Sequence, residues 1–228
     1  MKILQEGLPL FPLQTVLFPQ SRLPLHIFEP RYREMIERCL EEDLAFGVAL
    51  IKEGVEVGGP AVVREIGTIA RIGDLARLSD GSMNLVAIGV MRFKILETFS
   101  DRPYMTARVE RWPDEDVDLA KSEPAARAAA KAFEDYIRMI QQVAGGQEEP
   151  EGKEERSFDA PKDPTVLSYL LASNLEVSQT DKQSLLEAPT VVARLRREIL
   201  FMRRELELLR RVREGVGQAK DQGTFSMN

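Results

Sequence analysis

The sequence predicts an α+β protein, with a curled, barrel-like sheet in its first half and helices in its second. Three features of the 228 residues lead to this prediction. Short apolar runs separated by turn residues recur between residues 8 and 110, as they do in sheets of short strands. One early run, 30–40, has the spacing of a helix instead. After residue 113, alanine-rich and leucine-rich segments with helical periodicity follow.

The first strands are predicted in the proline-rich stretch that begins at residue 8. Its prolines have no N–H to donate to a sheet ladder, so these strands are expected to be short, at sheet edges, or bent. At the end of the stretch the side chains alternate, which places Leu25 and Ile27 on one side and His26 and Phe28 on the other. Pro30 then fits the first turn of a helix, where its missing N–H costs nothing.

The remaining strands are predicted at 44–51, 61–72, 75–78, 85–88, 91–95 and 104–109. They are rich in apolar and β-branched residues, which favour a pleated, half-buried surface. Asp80-Gly81 lies between two of these runs and is a strong hairpin signal. Trp112-Pro113 ends the series, and we therefore predict a first domain over residues 1–113.

The second half is predicted to be a helical domain over residues 114–215. Its helices are predicted at 125–143, 164–171, 180–187 and 190–214, and Gly215 is placed to end the last one. The segment 145–163 is acidic, rich in Gly and Pro and poor in large apolar residues, which predicts an exposed, mobile loop. The tail 216–228 is predicted to be disordered.

Composition argues for a protein of the cytoplasm. The chain is 43% hydrophobic and 30% charged, with a net charge of −6, and no basic excess points to nucleic acid as a partner. Its one cysteine permits no internal disulfide, which suits a reducing compartment. The N-terminus does not have the pattern of a signal peptide, and no run approaches the ~20 apolar residues that a membrane span needs.

Several ordered motifs resemble one known family. The runs PLFPL, TVLFP and LPLHIFEPRYREMI are followed by FGVALI (46–51), GTIARI (67–72), SDGSMNLVAIGVMRFKI (79–95) and PYMTARVE (103–110). Together they resemble the N-terminal substrate-binding domain of the Lon proteases, and most of all its stand-alone bacterial form. This resemblance implies a PUA-like pseudo-barrel followed by a helical bundle that ends in a long helix. The family usually has a glycine where this chain has Gln20. If that glycine supplies a positive φ, the turn after Pro19 is expected to be built differently here.

Catalytic signals are weak. The nucleotide-binding pattern G-x-x-x-x-G-K-[S/T] does not occur, and we expect neither the ATPase nor the peptidase part of a Lon protease. His26 and Cys39 could act as a pair only if the fold brought them together, and Cys39 falls on the apolar side of its helix. No His/Cys cluster has metal-ligand spacing. We therefore predict a protein that is not an enzyme and has no cofactor or metal.

The candidate binding residues cluster at the junction between the second strand and the first helix. One interpretation is structural, with the histidine hydrogen-bonded at the sheet edge and Glu29 interacting with the helix N-terminus. The alternative makes the junction one wall of a groove that binds an extended peptide. Arg92 either pairs with a carboxylate such as Glu29 or points outward. The candidates for peptide binding are His26, Phe28, Glu29, Arg31, Tyr32, Arg92 and Phe93.

The last helix carries an apolar seam at steps of three and four residues. The seam consists of Val192, Leu195, Ile199, Met202, Leu206 and Leu209. It either packs inside the chain, which predicts a monomer, or drives self-association into a dimer. The helix is also arginine-rich, but glutamates are interleaved, which favours solvated faces over nucleic-acid binding.

The leading functional hypothesis is a non-enzymatic module that binds unfolded or exposed apolar polypeptide segments. The Lon resemblance implies this role, and a protease or chaperone would then be a further partner. The first alternative is an assembly or scaffold protein that acts through its long helix. The second is a small-ligand or RNA-binding protein, since PUA-like barrels also serve such roles.

Overall fold

In the computed structural model, residues 4–56, 61–115, 119–145 and 158–223 are described. The chain divides into two compact units, residues 1–116 with 172–190 and residues 117–171 with 191–228. The first unit ends close to the predicted boundary at 113. It also includes 172–190, which the sequence had assigned to the helical part. Most of the predicted mobile loop (146–157) and the end of the predicted tail (224–228) lie outside the described residues.

The α+β class is confirmed, and five of the seven described strands of the first unit form a closed barrel. Its strands are β1 (Leu4–Leu13), β2 (Arg22–Ile27), β3 (Phe46–Gly54), β4 (Ala61–Val63), β5 (Ile66–Arg77), β6 (Met83–Phe99) and β7 (Thr106–Arg111). They follow the order β1-β7-β6-β5-β3-β4, and β1 also pairs in parallel with β3, which closes a ring of five strands. β2 pairs only with β6 among the described strands, so it is an edge strand.

The helices follow the predicted order. They are α1 (Pro30–Glu41), α2 (Leu119–Gly145), α3 (Pro164–Asn174), α4 (Gln179–Leu186) and α5 (Val191–Gly223). Pro30 lies in the first turn of α1, as predicted. The apolar side of α1, including Met35 and Cys39, is buried in the main core with Phe46 and Ala87 of the barrel. Burial of this side fixes α1 beside the end of β2.

The helix α5 differs from its prediction at the C-terminal end. It continues to Gly223 instead of ending near Gly215, so the predicted tail is wrong for residues 216–223. Glycine lowers helix propensity by about 1 kcal/mol relative to alanine, but it does not end a helix unless the chain adopts a capping turn. Toward the start of α5 the seam is buried, with Leu195 and Met202 at 0% exposure. The monomeric state that follows from internal packing remains a prediction.

The turn after Pro19 lies against β6 at a close backbone approach. Gln20 donates its N–H to the Gly89 carbonyl (2.8 Å), and Gly89 donates to the Ser21 carbonyl (3.0 Å). A Cβ on Gly89 would lie 2.1 Å from the carbonyl oxygen of Phe18, so only glycine fits there. Gln20 itself has a φ of 66°. The expectation of a differently built turn is therefore corrected, because glutamine takes up the left-handed conformation directly.

Replacing Gln20 with glycine is expected to raise the free energy of unfolding by about 0.5–1 kcal/mol. Relief of the left-handed strain, about 1–2 kcal/mol, exceeds the added entropy of the unfolded chain. Urea denaturation measures the change. Gln14→Gly is the matched control, since Gln14 is also exposed but has no positive φ, and it should destabilise. If the Gln20→Gly protein is no more stable than the parent, the left-handed conformation of Gln20 is not strained.

Candidate binding surface

The outer face of β2 is exposed, while its inner face is part of the core. Ile27 is 1% exposed and lies in the main apolar cluster, against which Leu25 packs. His26 and Phe28 are exposed on the other side, so the predicted alternation is confirmed. Pro24 lies at the middle of the strand, as is typical of edge strands. The junction thus presents both an edge and an outward face.

An open groove of about 470 Å³ crosses the outer face of β2, β6 and β5. It is lined by Pro24, Leu25, His26, Asp74, Leu75, Ala76, Asn84, Leu85 and Val86. The register explains its shape, because Asn84 lies opposite His26 on one side and Ala76 on the other. The small Ala76 side chain leaves space that a larger residue would fill. We call this feature the β2 groove.

The polar groups of the β2 groove are held in place by local hydrogen bonds. His26 Nδ1 lies 2.7 Å from Asn84 Oδ1, so the ring N–H can donate to the amide oxygen. The Phe28 ring stacks on His26 with 5.9 Å between centroids and is 51% exposed. Nearby, the Ser82 hydroxyl donates to Asp80 (2.7 Å), and chiefly this bond lowers the pKa of that carboxyl. The Phe28 ring is therefore exposed to solvent beside the His26 imidazole and the Asn84 amide, which are held by their hydrogen bond.

The ion pair at the start of α1 supports the structural interpretation of the junction. Arg31 binds Glu29 at 3.0 Å, and both side chains are half-buried. The guanidinium also lies 4.5 Å from the centre of the Tyr32 ring. Tyr32 is 4% exposed and packs on Phe11 with 4.3 Å between centroids, and burial raises its pKa. Tyr32 is thus a core residue and not a groove wall.

Arg92 and Phe93 are interior residues, which corrects their assignment to a peptide-binding surface. Phe93 is 0% exposed in a second apolar cluster. Arg92 is 2% exposed and donates to the carbonyls of Leu186 (2.7 Å) and Ala188 (2.6 Å). Its carboxylate partner is Asp114 at 2.9 Å rather than Glu29. Of the seven candidates, His26 and Phe28 are the ones that a partner can reach freely.

Sequence reasoning did not find the other side of the β2 groove. Ala76, Asn84 and Val86 carry no chemistry that stands out in a sequence, and they reach the site only through strand pairing. The hairpin signal at Asp80-Gly81 could have placed β5 beside β6. It could not have shown that β2 pairs with the other edge of β6.

The chain matches one protein family over most of its length. Residues 7–204 match the family described as the ATP-dependent protease La (LON) substrate-binding domain. The chain belongs to this Lon family. Its predicted resemblance is therefore confirmed, and the barrel with its helical continuation is the Lon N-terminal fold.

Relatives and solved structures agree with this membership. The chain is 30% identical over 214 residues to Lon protease 2 of Sorangium cellulosum. This match covers 90% of the chain and 25% of that protein. The chain thus spans about a quarter of the length of the Lon proteases that it matches. A Lon N-terminal domain protein from Xanthomonas campestris superposes with a TM-score of 0.58 at 25% identity, over 83% of this chain and 95% of that one. The N-terminal domain of a Mycobacterium avium complex Lon protease gives 0.62 at 18% identity, over 86% and 98%, and shows the fold alone.

Other kinds of site are not supported within the described part of the chain. Those residues contain no group of three or more potential metal ligands, and none of their helices is long and apolar enough to cross a membrane. Cys39 is 2% exposed, and burial raises the pKa of its thiol to about 11. A thiol with this pKa and burial is a packing group rather than a nucleophile.

Proposed function

We propose that the chain is a polypeptide-binding module that holds exposed apolar segments of other proteins in the β2 groove. Membership in a family described as a substrate-binding domain supports this role. We place the binding site at the β2 groove because the Phe28 ring is exposed at the end of an edge strand, beside this open groove.

The groove geometry favours an extended segment as the ligand. A strand laid along the free edge of β2, on the side opposite β6, can form main-chain hydrogen bonds, while its alternate side chains extend over the outer face of β2 toward the groove. Pro24 has no N–H, so the edge offers an incomplete ladder and side-chain contacts must supply much of the affinity. Val86 and Phe28 offer apolar contacts, and the His26–Asn84 pair offers polar ones. A segment with alternating apolar residues fits this surface.

The module acts without catalysis in this proposal. The Lon resemblance concerns the substrate-binding domain, and the groove contains no nucleophile beside a base. A protease or chaperone that receives the bound segment is then the natural partner. The single cysteine, which is free and buried, suits the reducing cytoplasm.

Replacing Phe28 with aspartate is expected to weaken binding of an unfolded polypeptide by about tenfold, because a charge replaces an apolar contact. Fluorescence anisotropy with labelled, carboxymethylated α-lactalbumin measures the affinity. Ala76→Arg should have a similar effect by filling the groove. Val62→Asp is the matched control, because Val62 is 54% exposed on β4. If both groove variants bind as tightly as the parent, the β2 groove is not the site.

A further inference from the structure

About a quarter of a turn around α5 from its buried seam lies a second line of regularly spaced residues. Arg196, Leu200, Arg203, Glu207 and Arg210 are all exposed and follow in steps of four, three, four and three residues. Residues with these steps lie along one side of a helix. The line therefore has the spacing with which one helix contacts another.

Two leucines lie uncovered among these charges. Leu200 is 62% exposed and Leu208 is 48% exposed. Leu200 lies between Arg196 and Arg203 along the line, and Leu208 lies beside Arg204 and Arg211. Single exposed leucines are ordinary on a surface, but these two lie about 80° apart around the helix axis, on one broad exposed side that they share with the arginines.

The same face has uncompensated positive charge. Arg204 is paired with Glu205 at 3.1 Å. Within the described residues, no ion pair joins Arg196, Arg203, Arg210 or Arg211 to a carboxylate. Glu207 is the one acid on the line, in a chain whose net charge is −6. We call the set Arg196, Leu200, Arg203, Leu208, Arg210 and Arg211 the arginine–leucine face.

We propose that the arginine–leucine face binds an acidic amphipathic helix of a partner protein. Glutamates or aspartates of such a helix would pair with the guanidinium groups, which bind carboxylates in a bidentate manner. Its apolar side would cover Leu200 and Leu208. One partner would then both neutralise the arginines and cover the leucines of this face.

Charge and shape disfavour the other occupants of this face. Two copies of α5 would bring four arginines and one glutamate from each copy together, which is repulsive. A nucleic-acid backbone would pair with the arginines, but it offers no apolar surface for the leucines, and Glu207 would repel it. The proposed helix is a different ligand from the extended segment of the β2 groove.

A labelled synthetic helix with leucines at heptad spacing and glutamates between them is the probe. The full chain should bind it in a salt-sensitive manner. Arg203→Glu with Arg210→Glu should weaken binding by about tenfold or more, and Leu200→Ser with Leu208→Ser by a similar factor at unchanged charge. Circular dichroism should show no change in folding, since all four residues are exposed.

Matched controls separate this proposal from general charge attraction and from the β2 groove. Arg71→Glu with Arg111→Glu makes the same charge change at exposed positions of the first unit and should leave binding intact, as should Phe28→Asp. Equal weakening by the Arg71/Arg111 control overturns the proposal. So does tighter binding of a DNA duplex than of the acidic helix. A parent protein that dimerises, and becomes monomeric on changing Leu200 and Leu208, also overturns it.

Discussion

Replacing Arg92 with methionine is expected to lower the free energy of unfolding by about 3–5 kcal/mol. The side chain is 2% exposed, so its charge-assisted hydrogen bonds are shielded from water. Methionine would remove the donors to Leu186 and Ala188 and the cation beside the buried Asp114 carboxylate. Urea denaturation measures the loss.

The size of this effect comes from the buried network and not from the loss of an arginine as such. Arg71→Met, at an exposed position, should change stability by no more than about 0.5 kcal/mol. Arg92→Lys retains the charge but not the fork of donors, and it should fall between methionine and the parent. If Arg92→Met costs less than about 1 kcal/mol, the network contributes little to stability.

Replacing Glu198 with glutamine is expected to stabilise the protein increasingly as pH rises. Glu198 is 0% exposed on α5, and neither carboxyl oxygen has a hydrogen-bond partner among the described residues. Burial raises its pKa well above the ordinary value of 4.5, although the nearby Arg194 guanidinium opposes the shift. The folded state therefore keeps a proton that the unfolded state releases.

The direction of the pH dependence follows from proton binding. Below pH 4.5 the carboxyl is protonated in both states and costs nothing extra. As pH rises from there toward the folded-state pKa, the unfolded chain ionises first, and the parent loses up to about 1.4 kcal/mol per pH unit. The glutamine variant lacks this loss, so the difference between the two should widen from pH 5 to pH 8.

Chemical denaturation at several pH values measures that difference. Glu207→Gln, at an exposed position of the same helix, is the control and should show no widening. A constant difference between Glu198→Gln and the parent across this range would mean that Glu198 is ionised in the folded protein.

Local patterns in the sequence predicted local structure well. The alternation through His26, the helix start at Pro30 and the hairpin at Asp80-Gly81 each depend on neighbouring residues, and each is present. They depend on strand periodicity, a missing N–H and a turn preference, which a sequence displays directly.

Contacts between distant residues were not predictable in the same way. Arg92 was expected to pair with a carboxylate such as Glu29 or to point outward, yet it donates to carbonyls 94 and 96 residues away. The β2 groove likewise exists because β2 pairs with one edge of β6 and β5 pairs with the other edge. No local sequence pattern encodes this arrangement. Gln20 takes up its left-handed φ because the surrounding contacts to Gly89 fix the turn.

The order in which the chain is synthesised bears on how the barrel can form. β1 is made first, but one of its neighbours in the ring is β7, at Thr106–Arg111. The first unit also needs 172–190, so a nascent chain must produce all of residues 117–171 before that unit can be complete. At about 5–20 residues per second, the parts of the barrel that this segment contacts, such as Ile66 and Arg92, wait several seconds for it. During its own translation, the chain would thus be a client for the polypeptide binding that we propose for it.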